Sequence, residues 1–349
     1  MNILIDLYKT KDLYSGLGQY SLNFANELMR QCPEDLEVNL LIPPRFNQAR
    51  HQGTRYIRSS FRERYFPVLN PKYQLWHSLH QFPSHFPHPS TKFILTVHDL
   101  NFLTEKKGHK AKRYLNRLQK NVDKATAITV ISEYTGKILK EHINLQGKLL
   151  KIIHDGVLLE TRPDVQRPAW LNEKPFFFSL SVFKATKNVH ALIPLMNYFP
   201  GHNLVLAGYN HTPYGEKVRE LINRSGLSGN ILLPGTINND EKYWLYRNCQ
   251  AFLFPSLAEG FGLPVIEAML AGKPVFLSRL TSLPETGGDK AFYWNTFEPS
   301  EMAEIMQTGL EMWEPDASSR SSDIAAYASR FSWQNCIRKF LELYKDIGS

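Results

Sequence analysis

Short apolar runs alternate with amphipathic stretches along this chain, and the alternation occurs twice. The first set of runs is Ile3–Leu7, Val38–Ile42, Phe93–Val97, Ala127–Ile131 and Leu150–Ile153. The second is Phe176–Leu180, Asn203–Ala207, Ile231–Leu233, Ala251–Phe254 and Pro274–Leu277. Helical periodicity fills most of the gaps, as in Gln19–Arg30, Glu133–Glu141, Tyr214–Arg224, Asp240–Asn248 and Pro264–Ala271. Apolar strands joined by helices form parallel sheets covered on both faces. Between the two sets, residues 159–175 carry three prolines and little periodicity, which reads as a linker. A chain of 349 residues also exceeds the roughly 250–300 at which one core stops growing. The expectation is α/β: two doubly wound, Rossmann-like domains of about five strands each, residues 1–160 and 174–330, facing each other across a cleft. Ligands bind such sheets beyond the carboxyl ends of the strands, so the functional loops should follow strands.

Composition narrows the function classes. Apolar residues make up 43% and charged residues 21%, the balance of a globular protein rather than a disordered one. Cys32, Cys249 and Cys336 form no spaced pair, so neither a disulfide framework nor a zinc site is expected, and a reducing compartment fits. No apolar run approaches the ~18 residues of a membrane span. The N-terminus reads as a first strand rather than a signal peptide, so a cytoplasmic protein is expected. The net charge of +8 is uneven: residues 1–165 carry 24 Lys+Arg against 15 Asp+Glu, and the remainder is close to neutral. A basic surface attracts acidic lipids, nucleic acids or anionic substrates.

The densest chemical signal is Glu259-Gly260-Phe261-Gly262-Leu263-Pro264-Val265-Ile266-Glu267, directly after the apolar run Ala251–Phe254. Two glycines one residue apart permit backbone conformations closed to other residues and let a ligand approach the main chain. Pro264 suits the first position of a helix. The amides at that helix start make an anion site, such as a phosphate would use. Glu267, in the first turns, is favoured by the helix dipole and can accept two bonds from a vicinal diol such as a ribose. Glu259 lies before the helix and can address the other end of the same ligand. A capped strand–turn–helix would carry the same spacing. Ser181–Asn188, after the Phe176–Leu180 run, holds Lys184 and Lys187. A lysine there can meet a diphosphate and neutralise a leaving group.

The Glu259–Glu267 segment resembles the signature of retaining glycosyltransferases of the GT-B fold, family 4 (glycosyl transferases group 1), and mannosyltransferases in particular. The resemblance covers nearly the whole chain in order. It runs through Gly16-Leu-Gly-Gln-Tyr-Ser21, Thr96-Val-His-Asp-Leu100, Val130-Ile-Ser-Glu133 and His154-Asp-Gly-Val157 in the first half. The second half adds Leu233-Pro-Gly-Thr236, Leu245-Tyr-Arg-Asn-Cys249, Phe254-Pro-Ser-Leu, Glu267-Ala-Met-Leu-Ala-Gly-Lys-Pro-Val275 and Ser282-Leu-Pro-Glu285. The resemblance implies that Glu267 holds the donor ribose and Glu259 contacts the transferred sugar, with Gly260, Phe261, Gly262 and Leu263 bonding sugar and phosphate through the backbone. It implies diphosphate contacts from Lys187 and Lys184, a donor contact from Thr236, and Gly16 and Gly18 beside the donor phosphates. His98 would contact the donor sugar near the reaction centre, with Asp99 and His80 secondary on the acceptor side. Glu259, His98 and Lys187 are thus the implied catalytic set. The family usually shows an arginine before Lys187; here Val182 and Thr186 stand nearby, so a weaker diphosphate clamp is expected. The segment from Phe331 to Tyr344 resembles the family's C-terminal helix, expected over 332–349 and packing back on the first domain.

His77, His80, His85 and His88 lie in a proline-rich stretch without helical pairing, and no Asp-x-Asp motif is present, so no metal and no cofactor are expected. The donor, a nucleotide sugar, is a substrate. The implied reaction moves a hexose, first mannose from GDP-mannose, to a glycan or lipid-linked acceptor in cell-surface polysaccharide or glycolipid synthesis. A UDP-sugar transferase, a phosphorylase-like enzyme of the same fold and a sugar-nucleotide-binding protein with little turnover are the alternatives. A nucleic-acid-binding protein lacks a module here. Two basic stretches, Lys106–Lys120 and the arginines Arg45, Arg50, Arg55, Arg58, Arg62 and Arg64, are either solvated faces or a dock for an anionic membrane.

Overall fold

The computed structural model describes residues 1–348 except positions 14, 49, 50, 52, 53, 161 and 163, and of Glu63 the backbone only. Arg50 of the basic stretch, and Thr161 and Pro163 of the expected linker, lie outside the described residues. The chain forms two compact units, 1–156 with 331–349, and 157–330.

In the first unit seven strands form one parallel sheet: β1 (Asn2–Asp6), β2 (Glu37–Ile42), β3 (Arg55–Arg58), β4 (Leu75–Ser78), β5 (Lys92–Val97), β6 (Ala127–Val130) and β7 (Leu149–Ile152). Their order is β3-β2-β1-β4-β5-β6-β7. Alternate residues of β1 enter different cores. Ile3 and Ile5 pack with Phe24, Leu28 and Leu40, whereas Leu4 packs with Trp76, Phe93 and Leu95. Burial on both faces is why a strand such as β1 reads as a continuous apolar run.

The second unit holds a six-stranded parallel sheet of β8 (Phe176–Leu180), β9 (Asn203–Ala207), β10 (Ile231–Gly235), β11 (Ala251–Phe254), β12 (Val275–Ser278) and β13 (Phe292–Trp294). The order is β10-β9-β8-β11-β12-β13. Among the described residues, seven and six strands replace the expected five and five. The three additional strands hide their signal: β3 is an edge strand with arginine at both ends, β4 ends in a histidine and a serine, and β13 has three residues.

Both sheets reverse their strand order once, between β1 and β4 and between β8 and β11. The loops after those strands diverge around a crevice where doubly wound proteins bind ligands. The fold therefore selects the loops after β8 and β11 in the second unit, and those after β1 and β4 in the first.

The last helix, Trp333–Gly348, belongs to the first unit. Trp333, Cys336, Ile337, Phe340, Leu343, Tyr344 and Ile347 recur at helical spacing and lie in the same core as Ile3 and Phe24. Two polar contacts fix its register: Tyr344 hydroxyl to His77 Nδ1 at 2.7 Å, and Lys92 Nζ to the Ile347 carbonyl at 2.5 Å. Among the described residues no helix is long and apolar enough to cross a membrane.

Candidate active site

In the second unit the switch-point loops are tied to each other. The carbonyl of Thr186, after β8, accepts from Leu257 N at 2.7 Å and from Ser256 Oγ at 3.1 Å, both after β11. This brings Lys187 Nζ to 2.6 Å from Glu259 Oε1. The side chains are 21% and 11% exposed, so the pair is largely shielded from solvent, with the ammonium 5.9 Å from the Phe254 ring centre. Glu259 is also held through its backbone. Its N–H donates to Thr281 Oγ1 at 3.0 Å, and its carbonyl accepts from Ser282 Oγ at 3.1 Å. The Phe261 carbonyl accepts from Thr286 Oγ1. The loop is thus fixed by its neighbours before any ligand arrives, which is what electrostatic catalysis requires.

Gly262 turns the loop into the helix Leu263–Leu270 with φ of 105°, a conformation that suits glycine. A Cβ there would stand 2.9 Å from the Leu283 side chain. Pro264 is the second helical residue rather than the first, because the helix opens at Leu263.

Glu267 does not present a bare carboxylate. Oε1 lies 2.8 Å from Lys242 Nζ, and Oε2 accepts from the Tyr246 hydroxyl at 2.8 Å. Lys242 and Tyr246 are four residues apart on the helix Asn239–Asn248 and so share a face. That helix is anchored by a capping box in which Asn238 and Glu241 satisfy each other's backbone groups. Burial, followed by the neighbouring Glu267, pushes the Tyr246 hydroxyl well above its ordinary range, so it remains a donor. Neither Lys242 nor Tyr246 was singled out in the sequence; their four-residue spacing on an expected helix was the available signal. Lys184 and Thr236 are exposed, the first opening the Ala185–Lys187 turn and the second following β10.

In the first unit Gly18 proves to be a packing glycine. Its N–H donates to Ser15 Oγ at 3.1 Å, capping the Gly16–Gln31 helix, and a Cβ there would fall 1.9 Å from the Asp12 carbonyl oxygen. Its amide is therefore committed to the cap in this structure, whereas Gly16 is exposed at the helix start.

His98, after β5, is buried. Nε2 lies 2.9 Å from the Leu79 carbonyl and must carry the proton, which turns the Nδ1 lone pair toward Asp155 Oδ2 at 3.9 Å. Both ring nitrogens thus face protein groups. Burial brings the imidazole down to about 4, so the ring is neutral near pH 7. Burial also holds the Asp155 carboxyl well above its usual range, and its Oδ1 has no hydrogen-bond partner among the described residues. Asp155 belongs to the His154–Val157 block, but only the tertiary fold brings it to His98.

His80 faces the His98 ring at 6.3 Å between centroids and accepts from Phe82 N at 3.0 Å. Asp99 Oδ1 accepts from Asn101 N at 2.9 Å, shaping its own turn. The other histidines separate: His77 joins Tyr344 and Thr96, His85 joins Ser59, and His88 joins Ser90. Among the described residues no group of three or more His, Cys, Asp or Glu is arranged to hold a metal ion.

Comparison with known proteins meets this geometry. The family described as glycosyl transferases group 1 matches residues 161–330, the span that holds Lys187, Glu259 and Glu267. O-antigen chain mannosyltransferase B of Escherichia coli is 25% identical over 99% of this chain and 100% of its own. Among solved structures, sucrose-phosphate synthase of Thermosynechococcus elongatus superposes with a TM-score of 0.76 at 17% identity, covering 99% of each chain. Anabaena Alr3699/HepE in complex with UDP-glucose gives 0.74 at 18%, covering 99% of this chain and 100% of that one. The chain has the GT-B fold of a family 4 hexosyltransferase, and its residues 161–330 match glycosyl transferases group 1.

Proposed function

We propose that this protein transfers mannose from GDP-mannose, with retention and without a metal, to a glycan or lipid-linked acceptor in the synthesis of a cell-surface polysaccharide or glycolipid. The observation that carries the reading is the Lys187–Glu259 pair at the switch point of the second sheet, next to a Glu267 held by Lys242 and Tyr246. Full-length likeness to an O-antigen chain mannosyltransferase supports the sugar and the acceptor class.

The chemistry follows from the charges. As the bond from sugar to diphosphate breaks, negative charge grows on the leaving phosphate and positive charge on the sugar. Lys187 lies toward the first and Glu259 toward the second, so the pair that neutralises itself in the free protein separates its charges along the breaking bond. Glu267, immobilised by two donors, keeps a lone pair direction for a ribose hydroxyl. The departing phosphate takes the acceptor proton, so no protein base is needed. His98 acts as a neutral group that holds the Leu79 turn rather than as an acid. Gly16, Lys184, Thr236 and the backbone of Gly260–Leu263 complete the donor contacts, with Asp99 and His80 toward the acceptor.

Transfer assays with a panel of nucleotide sugars and a lipid-linked saccharide acceptor test the reading. Turnover is expected with GDP-mannose, and its absence across the panel would overturn it. Turnover with UDP-glucose instead selects the second reading, favoured by the structural likeness to a protein solved with UDP-glucose.

A further inference from the structure

One segment of the first unit breaks the ordinary rule for a soluble surface. Phe61, Tyr65, Phe66, Val68 and Leu69 are 73%, 56%, 52%, 62% and 51% exposed. Isolated exposed apolar side chains need no explanation, but five within nine residues form a patch. Phe61 and Tyr65, one helical turn apart in the helix Phe61–Tyr65, bring their rings to 4.5 Å; Phe66 caps the turn Pro67–Leu69, which carries Val68 and Leu69. Exposed arginines are interleaved: Arg62 and Arg64 lie within the patch and Arg58 just before it, with Arg64 over the Tyr65 ring at 5.4 Å.

The second basic stretch is brought to the same place. It forms the helix His109–Lys124, whose Lys112, Arg113, Arg117 and Lys120 line an open hollow of about 480 Å³. The loop of residues 82–86 joins helix and patch. Arg117 stacks on Phe82 at 5.1 Å and Lys124 on Phe86 at 4.1 Å. On the other side Asn70 donates to the Phe86 carbonyl at 2.7 Å, and His85 meets Ser59 at 2.7 Å. Two stretches about forty residues apart in sequence thus flank one loop of one unit.

We propose that this surface docks on an anionic lipid bilayer, with residues 61–69 inserted at the boundary between headgroups and acyl chains and the His109–Lys124 helix lying over the headgroups. Apolar side chains interleaved with arginine, beside a basic helix, match both layers of such a surface. A second copy of the chain is disfavoured by charge, since a two-fold contact through this patch sets its arginines against themselves. A nucleic acid would leave the apolar side chains without a purpose. Nothing in the proposal depends on the donor.

The test uses the full chain with phosphatidylglycerol–phosphatidylcholine vesicles and with phosphatidylcholine alone. Wild type is expected to co-sediment with the anionic vesicles. F66S/V68S/L69S should weaken that binding about tenfold or more, and R62E/R64E should abolish it at moderate salt. A reporter variant, F66W, should shift its emission to shorter wavelength on anionic vesicles and be quenched by brominated acyl chains. Unchanged donor turnover and circular dichroism keep misfolding apart from lost docking. Absence of vesicle binding overturns the proposal. So does binding with no emission shift and no loss in F66S/V68S/L69S, or a patch-dependent dimer or RNA complex in place of lipid binding.

Discussion

A lysine and a glutamate 2.6 Å apart, each about four-fifths or more shielded, hold each other in the free protein. Removing one leaves the other charge partly buried, so the double substitution should cost less than the sum of the two single ones. E259Q is expected to lower kcat by about 10²–10³ with donor KM little changed, because the group acts where charge develops. K187M should lower kcat comparably, and the double variant should be little worse than either, as steady-state kinetics of the three would report. Glu267 behaves differently because its partners position it without touching the reaction. Y246F removes one of its two donors while Lys242 still holds the carboxylate, and should raise donor KM about fivefold, the worth of one ordinary hydrogen bond, while leaving kcat near wild type. Glu259 and Glu267 drew notice in the sequence by their spacing after an apolar run, and Lys187 through the resemblance to the family. Lys242, Tyr246 and Asp155 were not, because what selects them is a neighbour 21 to 57 positions away. The commitment of the Gly18 amide to Ser15 was hidden for the same reason: a glycine beside a helix start reads alike whether it serves a ligand or a close packing contact.

Among the elements, the loop from Glu259 to Gly262 depends on one backbone conformation. G262A forces a side chain into φ of 105° and to 2.9 Å from Leu283, at a cost of about 1–3 kcal/mol. Thermal unfolding should show the loss, and donor titration should show a weaker site, since Glu259 and the helix carrying Glu267 are joined through this residue. Readable strands such as β8, β9 and β11 are buried on both faces. β3, β4 and β13 escaped because edge position, short length or a buried histidine breaks the apolar pattern. His77 in β4 is fully buried and bonded at both nitrogens, so a polar residue there signals a core network rather than a loop. The last helix supplies seven residues to the core of the first unit. A chain ending at Arg330 should therefore lose protection from hydrogen exchange in residues 1–156 and retain it in 174–330.

Across the whole molecule, the first unit collects buried histidines whose imidazoles burial brings to about 3 for His77, about 2 for His80, and about 4 for His85 and His98. Unfolded, each takes a proton near pH 6.5; folded, none does until pH 4 or below. Between those values the unfolded chain binds more protons, so stability falls as the pH drops from about 6.5 toward 4 and is complete above 6.5. Asp6 runs the other way. Burial raises it to about 6, so the folded state binds the extra proton between about 3.8 and 6, and its contribution is lost as the pH rises through that window. Asp155 has the same sign. Four histidines against two carboxyls should give a net loss on acidification. The unfolding midpoint in urea is expected to be lower at pH 5 than at pH 7.5, and H77Q should flatten that slope although it lowers stability at every pH.

The segment from Glu259 to Glu267 is the proposed donor site, and calorimetric titration of GDP-mannose into wild type and E267Q decides between it and another place on the fold. Binding by wild type and an affinity about tenfold or more weaker in E267Q are predicted, the loss expected when a hydrogen bond to a charged group is removed. Equal affinity in the two proteins would contradict it, because the donor would then be bound elsewhere on the fold.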